Sequence, residues 1–180
     1  MGLLGIGRQA AMAAIGLALI GLAARPAAAQ IVFGSPGDPP HIAFGAGAFD
    51  ITPSNHKDSH TAADFRGEYR FGDMFWVVAP FVGVSGTSDG AFYGYGGFGV
   101  DVNFSPNIVL TPNFAAGYFG PGSGTRLGYP LEFRSGAELA WRFEDTSRLG
   151  VAAHHMSNAG LGKHNPGEQS VVVMYSLPFR

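Results

Sequence analysis

Three residues near the end of the chain have the side-chain types of a serine hydrolase. His155 and Ser157 are separated by one residue, and the carboxylate of Glu168 follows after a short loop. An imidazole beside a serine hydroxyl can accept its proton, and a carboxylate behind the imidazole fixes its tautomer. The turn amides at Asn158 and Gly160 are candidates for stabilising an oxyanion. These residue types are also ordinary at a strand end, so their role depends on the elements that carry them.

The segment that carries the histidine and the serine, RLGVAAHHMSN (148–158), has the alternation of a β-strand. Successive side chains of a strand point to opposite sides, so His155 and Ser157 share one face, ~6–7 Å apart by the strand rise. The rest of that face is apolar. The neighbouring His154 belongs to the other face, which we expect to point into the interior of a barrel.

Alternation with a period of two recurs along the chain and predicts an all-β fold. About eight segments of roughly ten residues are separated by turn-forming residues, which is the strand length that crosses a bilayer at a tilt. They lie near 41–51, 62–71, 74–85, 90–103, 107–119, 130–143, 147–158 and 168–179. The sequence therefore favours an eight-stranded antiparallel transmembrane β-barrel of the bacterial outer membrane.

The two faces of these segments differ in polarity, as DFRGEYRF (64–71) shows by alternating charged residues with aromatic residues and glycine. An outer-membrane barrel would turn the charged face inward and the apolar face toward lipid. A secreted sandwich or a lipocalin-like barrel would do the reverse, and alternation alone does not separate the two. The low share of charged residues, 13%, and the dense aromatic residues favour the membrane barrel.

The first 29 residues have the composition of a secretory signal peptide. Arg8 precedes an uncharged apolar run, and Ala27 and Ala29 form a small-residue cleavage site before Gln30. An N-terminal membrane anchor is the alternative, although the run is short for a membrane span. Residues 30–180 then form the barrel domain. This part carries nine of the eleven Lys and Arg residues against all thirteen Asp and Glu residues, a balance that argues against nucleic acid as a partner.

Two further motifs carry little weight. Gly94, Gly96 and Gly99 satisfy the G-x-G-x-x-G pattern, but they lie in an alternating segment with no helix to follow, so we interpret them as strand glycines. His56 and His60 have a spacing that suits a metal site on a helix, but they lie in a loop rich in turn-forming residues. We therefore expect neither a metal nor an organic cofactor.

The site residues resemble the signature of a known enzyme family. The matching stretch is His155-Met156-Ser157-Asn158-Ala159-Gly160-Leu161, followed by Asn165-Pro166-Gly167-Glu168. It is similar to the motif of the lipid A 3-O-deacylases of the PagL type, which are eight-stranded outer-membrane barrels whose active site faces the membrane. The loop between serine and glutamate is about one residue shorter than in the best-known members of the family.

The resemblance implies a function and a role for each matching residue. Ser157 would be the nucleophile, His155 the general base and Glu168 the carboxylate that orients the histidine. Asn158, Gly160 and Asn165 would support the oxyanion region. The substrate would be lipid A of lipopolysaccharide, hydrolysed at its 3-O-linked acyl ester to release a 3-hydroxy fatty acid. A non-enzymatic structural or adhesive barrel and a broader phospholipid esterase remain alternatives, and formation of a homodimer is left open.

Overall fold

The computed structural model describes residues 30–53, 59–72 and 75–179. The predicted signal peptide, residues 1–29, lies outside the described residues. The described strands are β1 (Val32–Phe33), β2 (His41–Phe49), β3 (Ala62–Arg70), β4 (Val78–Thr87), β5 (Phe92–Val100), β6 (Val102–Asn103), β7 (Ile108–Gly120), β8 (Leu131–Arg142), β9 (Arg148–Ser157) and β10 (Glu168–Pro178). No helix in the described part of the chain is long and apolar enough to cross a membrane.

The eight long strands close into an antiparallel barrel. They are hydrogen-bonded in the order β7-β5-β4-β3-β2-β10-β9-β8, and a further pairing of β7 with β8 completes the circle. The two-residue strands β1 and β6 extend one end, where β1 pairs with β6 and β6 pairs with β7. Closure leaves no unpaired edge among the long strands. The predicted all-β, eight-stranded antiparallel barrel is confirmed.

The predicted strand segments agree with the observed bounds within a few residues, except at the start of β4. The sequence placed this start near residue 74, whereas β4 begins at Val78. Phe75 and Val78 exchange backbone hydrogen bonds across a tight turn, and Trp76 adopts a φ of 62° there. A bulky aromatic residue rarely takes this left-handed conformation. The apolar side chain of Trp76 therefore predicted a strand residue at a position that belongs to the turn.

The faces of the barrel have the polarity expected of a membrane protein. In β3, Asp64 is 1% exposed and Arg66 is 7% exposed, whereas Phe65 between them is 58% exposed. A soluble barrel would bury the aromatic residue and expose the charges. The observed orientation therefore decides between the two arrangements that alternation left open, in favour of an apolar outer wall that faces lipid.

Ion pairs fill much of the interior. Arg66 lies 2.7 Å from Asp64, and Arg70 lies 2.9 Å from Glu68 and 2.6 Å from Glu138. These charges are buried but paired, as a low-dielectric interior requires. A buried apolar cluster packs beside them, and half of its members are aromatic, namely Phe49, Phe81, Tyr93, Tyr95 and Phe119.

The two ends of the barrel differ in the length of their connections. The Ser157 end carries connections 50–61, 88–91, 121–130 and 158–167, and three of these are longer than any at the opposite end. The opposite end carries 71–77, 101–107 and 143–147. Outer-membrane barrels have long extracellular loops and short periplasmic turns. By this pattern, β9 ends on the extracellular side, near the surface of the outer leaflet.

Candidate active site on the outer wall

Strand β9 presents the predicted histidine and serine on the lipid-facing wall. Its buried and exposed residues alternate strictly from Arg148 to Met156. His155 is exposed, and Ser157, the last residue of the strand, is partly exposed. Both therefore lie on the outer face, as the alternation predicted.

The strands on either side of β9 add two polar neighbours. In the sheet register, His155 lies between Ser135 of β8 and Gln169 of β10, while Ser157 lies opposite Phe133. Directly opposed residues on one face have Cβ atoms ~4.5–5.5 Å apart. Neither Ser135 nor Gln169 stands out in the sequence, because strand register joins residues that are far apart in the chain.

These four polar residues form a patch in an otherwise apolar wall. We define the outer polar patch as Ser135, His155, Ser157 and Gln169. In the eight long strands, all of which are described, every other outward-facing position is occupied by an aliphatic or aromatic residue, including three tyrosines, or by glycine. Polar side chains that face lipid are costly and therefore rare. Their confinement to three adjacent strands at one height indicates a functional site.

Gln169 makes the side-chain contact with the histidine. Its Nε2 lies 3.3 Å from Nδ1 of His155. The hydroxyl of Thr52 donates a hydrogen bond to Oε1 of the same amide. Imidazole Nε2 is thereby left as the ring nitrogen on the side away from Gln169.

The structure does not bring Glu168 to His155, which corrects the role that was predicted for this carboxylate. Glu168 pairs with Met156 in the sheet, and its side chain is buried inside the barrel. There it accepts a hydrogen bond of 3.3 Å from the backbone N–H of Asp50. Adjacent strand residues point to opposite faces, so the sheet itself separates this carboxylate from the exposed imidazole.

The turn after Ser157 is held by the asparagines of the predicted oxyanion region. The backbone N–H of Asn158 donates to Oδ1 of Asn165 at 3.0 Å, and that of Gly160 donates to Oδ1 of Asn158 at 2.9 Å. The fully buried Asn158 amide also donates to the carbonyls of Leu127 and His164, both at 2.8 Å. Both candidate oxyanion amides are thus already engaged, and they shape the turn instead.

The remaining amide of this turn belongs to Ala159. It has no hydrogen-bond acceptor among the described residues. Ala159 has a φ of 53° and Gly160 a φ of 80°. Left-handed conformations of this kind can turn backbone N–H groups outward to form an anion-binding concavity.

The motifs set aside in the sequence lie away from this patch. Gly94, Gly96 and Gly99 are all within β5, so they belong to a strand and open no helix. His56 lies outside the described residues, and Nε2 of His60 is 2.9 Å from the carboxylate of Asp89. Within the described ranges, no group of three or more His, Cys, Asp or Glu residues could hold a metal ion.

The fold and this patch define an outer-membrane barrel with a serine and a histidine exposed to lipid, an arrangement suited to an esterase of membrane lipids. A family model described as lipid A 3-O-deacylase (PagL) matches residues 61–178. The chain therefore belongs to the lipid A 3-O-deacylase family of PagL type, and it is an outer-membrane protein of that family.

The chain was also compared with solved structures, of which the PagL enzyme supports the fold. The crystal structure of the outer membrane enzyme PagL superposes with a TM-score of 0.62 at 18% sequence identity, covering 77% of this chain and 99% of that one. A de novo designed transmembrane β-barrel gives a TM-score of 0.48 at 15% identity, covering 77% and 94%. The Yersinia pestis outer membrane protein Ail gives 0.44 at 13% identity, covering 76% and 99%. No curated protein sequence matches the chain.

Proposed function

We propose that this barrel hydrolyses the 3-O-linked acyl ester of lipid A, with Ser157 as the nucleophile and His155 as its general base. The observation that carries the proposal is the outer polar patch, which places both side chains on the wall that contacts lipid. A substrate ester in the outer leaflet can reach them without leaving the membrane. Membership of the lipid A 3-O-deacylase family supports the choice of substrate.

The chemistry would proceed through an acyl-enzyme. His155 takes the hydroxyl proton of Ser157 as Oγ attacks the ester carbonyl, and the tetrahedral intermediate forms. Its collapse breaks the bond to the 3-oxygen of the sugar, and the protonated His155 returns the proton to that oxygen. Water, deprotonated by the same histidine, then releases the 3-hydroxy fatty acid and regenerates Ser157.

The Ala159 amide is the oxyanion donor that we assign in this turn. It follows Ser157 closely in the chain, and a backbone N–H aimed at the developing negative charge stabilises it. Asn158, Gly160 and Asn165 act as support, since their hydrogen bonds hold the turn that presents this amide. The expected contribution of such a donor is ~10²–10³-fold in rate.

Ser157 is preferred over Ser135 because of its place at the end of a strand. Ser135 lies within the continuous β8–β9 and β7–β8 ladders, where backbone amides are paired between strands. Ser157 instead leads into the turn that offers the Ala159 amide. The two serines therefore make a matched pair of variants beside one histidine.

The test is mass spectrometry of lipid A after incubation with refolded Ser157→Ala and Ser135→Ala proteins. We expect the first variant to lose at least ~10³-fold in fatty acid release and the second to stay within a few-fold of the unchanged protein. Loss in Ser135→Ala with full activity in Ser157→Ala would assign the nucleophile to Ser135. Lipid A left intact by the unchanged protein would refute the enzymatic function, and equal release from phospholipid vesicles would assign a broader esterase.

Export also belongs to this proposal. We expect cleavage after Ala29, so N-terminal sequencing of the protein from outer membranes should begin at Gln30. A retained N-terminus at Met1 would favour the anchor alternative. Every proposed site residue comes from one chain, so the proposed site does not require a dimer. Formation of a homodimer stays a prediction, to be tested by cross-linking in membranes.

A further inference from the structure

We propose that Gln169, held by Thr52, is the positioning residue for His155, so that a neutral amide occupies the place behind the base where a serine hydrolase usually has a carboxylate. The inference rests on the proposed function, because it assigns His155 the role of general base. It concerns a residue pair that lies on the lipid-facing side of the barrel and includes no charged group.

Two strands and the segment after β2 meet at this contact. β10 places Gln169 directly opposite His155 of β9, and their side chains meet at 3.3 Å between Nε2 and Nδ1. The chain leaving β2 is tied to the same residue, because the N–H of Ile51 donates to the Gln169 carbonyl at 2.8 Å. This backbone bond brings the Thr52 hydroxyl to the side-chain amide of Gln169, to which it donates. Both polar atoms of the Gln169 amide are therefore in contact with a neighbouring side chain.

The orientation of the Gln169 amide is linked to the tautomer of His155. With Nε2 toward His155, the amide donates to Nδ1, and the neutral imidazole carries its proton on its own Nε2. Rotation of the amide by 180° presents Oε1 to Nδ1–H and leaves the imidazole Nε2 as the proton acceptor that Ser157 needs. The hydroxyl of Thr52 can accept as well as donate, so it can hold the amide in this rotated orientation as well. Thr52 and Gln169 together can thus support the His155 tautomer whose Nε2 accepts the serine proton.

A neutral positioning group has a measurable signature. Asparagine fills this place in papain-like proteases, so an amide is chemically competent to orient a histidine. An amide cannot stabilise the imidazolium by charge, however, whereas a carboxylate can. Gln169→Glu should therefore keep or raise kcat and move the acid limb of the kcat/KM profile to higher pH, by about one pH unit.

The experiment measures kcat, KM and the pH profile on lipid A for Gln169→Leu, Gln169→Glu, Thr52→Val and the double variant that combines Thr52→Val with Gln169→Leu. We expect Gln169→Leu to lower kcat by roughly 10–100-fold with KM little changed, because a base that is poorly placed slows only the chemical step. Gln169→Glu should restore the rate and shift the profile. Thr52→Val should cost a few-fold on its own and nothing further in the Gln169→Leu background, since coupled residues are non-additive.

Glu168→Gln is the matched control, because it changes the neighbouring residue on the opposite face of the same strand. Its amide oxygen can still accept from the Asp50 N–H, so the barrel should fold and hydrolyse lipid A within a few-fold of the unchanged protein. A fully active Gln169→Leu protein would overturn the inference. The proposed function would still hold if that activity depended on Ser157. A loss in Glu168→Gln larger than that in Gln169→Leu would also overturn it. Inactivity of the unchanged protein would instead refute the proposed function.

Discussion

His154 and His155 are adjacent in β9, yet the sheet assigns them to two different environments. His154 is 7% exposed, and its Nδ1 lies 2.9 Å from Nη1 of Arg66 in the ion-paired interior. His155 stands on the outer wall, where its Nδ1 contacts the neutral amide of Gln169. One residue of displacement along a strand thus separates a side chain that is fixed by buried charges from one that is open to lipid.

The difference extends to the residues around each histidine. The interior side chains at this height, including Asp64, Arg66 and Ser170, bond to one another and hold the strands in place. The outer polar patch is small, uncharged apart from what His155 can carry, and open to an approaching lipid. We infer that the inner face supplies stability and the outer face supplies chemistry. Single substitutions on each face can test this division.

The pair of histidine variants should show the largest contrast. His155→Ala removes the proposed general base and is expected to lower kcat on lipid A by roughly 10²–10⁴-fold, with unchanged unfolding by denaturant. His154→Leu removes an acceptor of Arg66 inside the barrel and should lower the free energy of unfolding by about 1–3 kcal/mol. Its activity should stay within a few-fold.

Both variants are measured by lipid A mass spectrometry and by guanidinium unfolding in detergent micelles. A comparable loss of activity in the folded His154→Leu protein would break the division between the two faces. So would a His155→Ala barrel that unfolds much more easily while its activity is preserved.

Gly167 offers a finer test, because it lies against the imidazole itself. A Cβ added to Gly167 would come within 2.8 Å of Cε1 of His155, and the residue has a φ of 68°. Gly167→Ala should therefore displace the ring and lower kcat by roughly 10–100-fold, as small misplacements of catalytic groups do. The measurement is again hydrolysis of lipid A.

Gly90→Ala is the control for backbone strain. Gly90 has a φ of 80°, but a Cβ there would meet nothing within 4 Å. Both substitutions should cost about 1 kcal/mol of stability through the left-handed conformation, while only Gly167→Ala should slow hydrolysis. Equal rates of lipid A hydrolysis for the two variants would show that hydrolysis does not depend on the exact position of the His155 ring.

The sequence predicted the fold well because period-two alternation is a local signal. Each long strand appears as a run of about ten alternating residues between turns, and Asp64 to Phe71 already separates the two faces. The direction in which the faces point required the structure, since charges inside and charges outside produce the same pattern. Trp76 is the local exception, because alternation does not distinguish a single apolar residue in a tight turn from one in a strand.

The placement of the candidate site residues was predicted in part, and Glu168 shows where local reasoning ended. His155 and Ser157 share a strand, so their common face followed from spacing alone. Glu168 was chosen by residue type, although the alternation of Val171 and Val173 already places odd-numbered residues of this strand outward. Extended to the start of the strand, the same alternation puts Gln169 beside His155. Thr52 could not be found in this way, because its contact depends on how β2 pairs with β10.

The smallest expected effect lies at the periplasmic end of the interior, far from the outer polar patch. Burial alone would raise the pKa of Asp101, but the Arg148 guanidinium at 2.7 Å and hydrogen bonds from Ser35 and Thr111 outweigh it and lower the pKa to about 2. A carboxylate with a lowered pKa in the folded state stabilises the fold above its ordinary pKa of ~3.9. This contribution is lost as the pH falls from about 4 through about 2.

Asp101→Asn should therefore lower the free energy of unfolding at pH 7 by on the order of 1–2 kcal/mol, and lipid A hydrolysis at that pH should stay within a few-fold. The gap between the two proteins in guanidinium unfolding should narrow as the pH is lowered from 4 through about 2, and it should close only below pH 2, where Asp101 is protonated in both folded and unfolded chains. A gap that persists in full well below pH 2 would assign the effect to hydrogen bonds and packing, because only the charge of Asp101 is removed by acid. A fall in hydrolysis matching that of His155→Ala would instead show that the interior transmits its state to the outer wall, and the division between the two faces would fail.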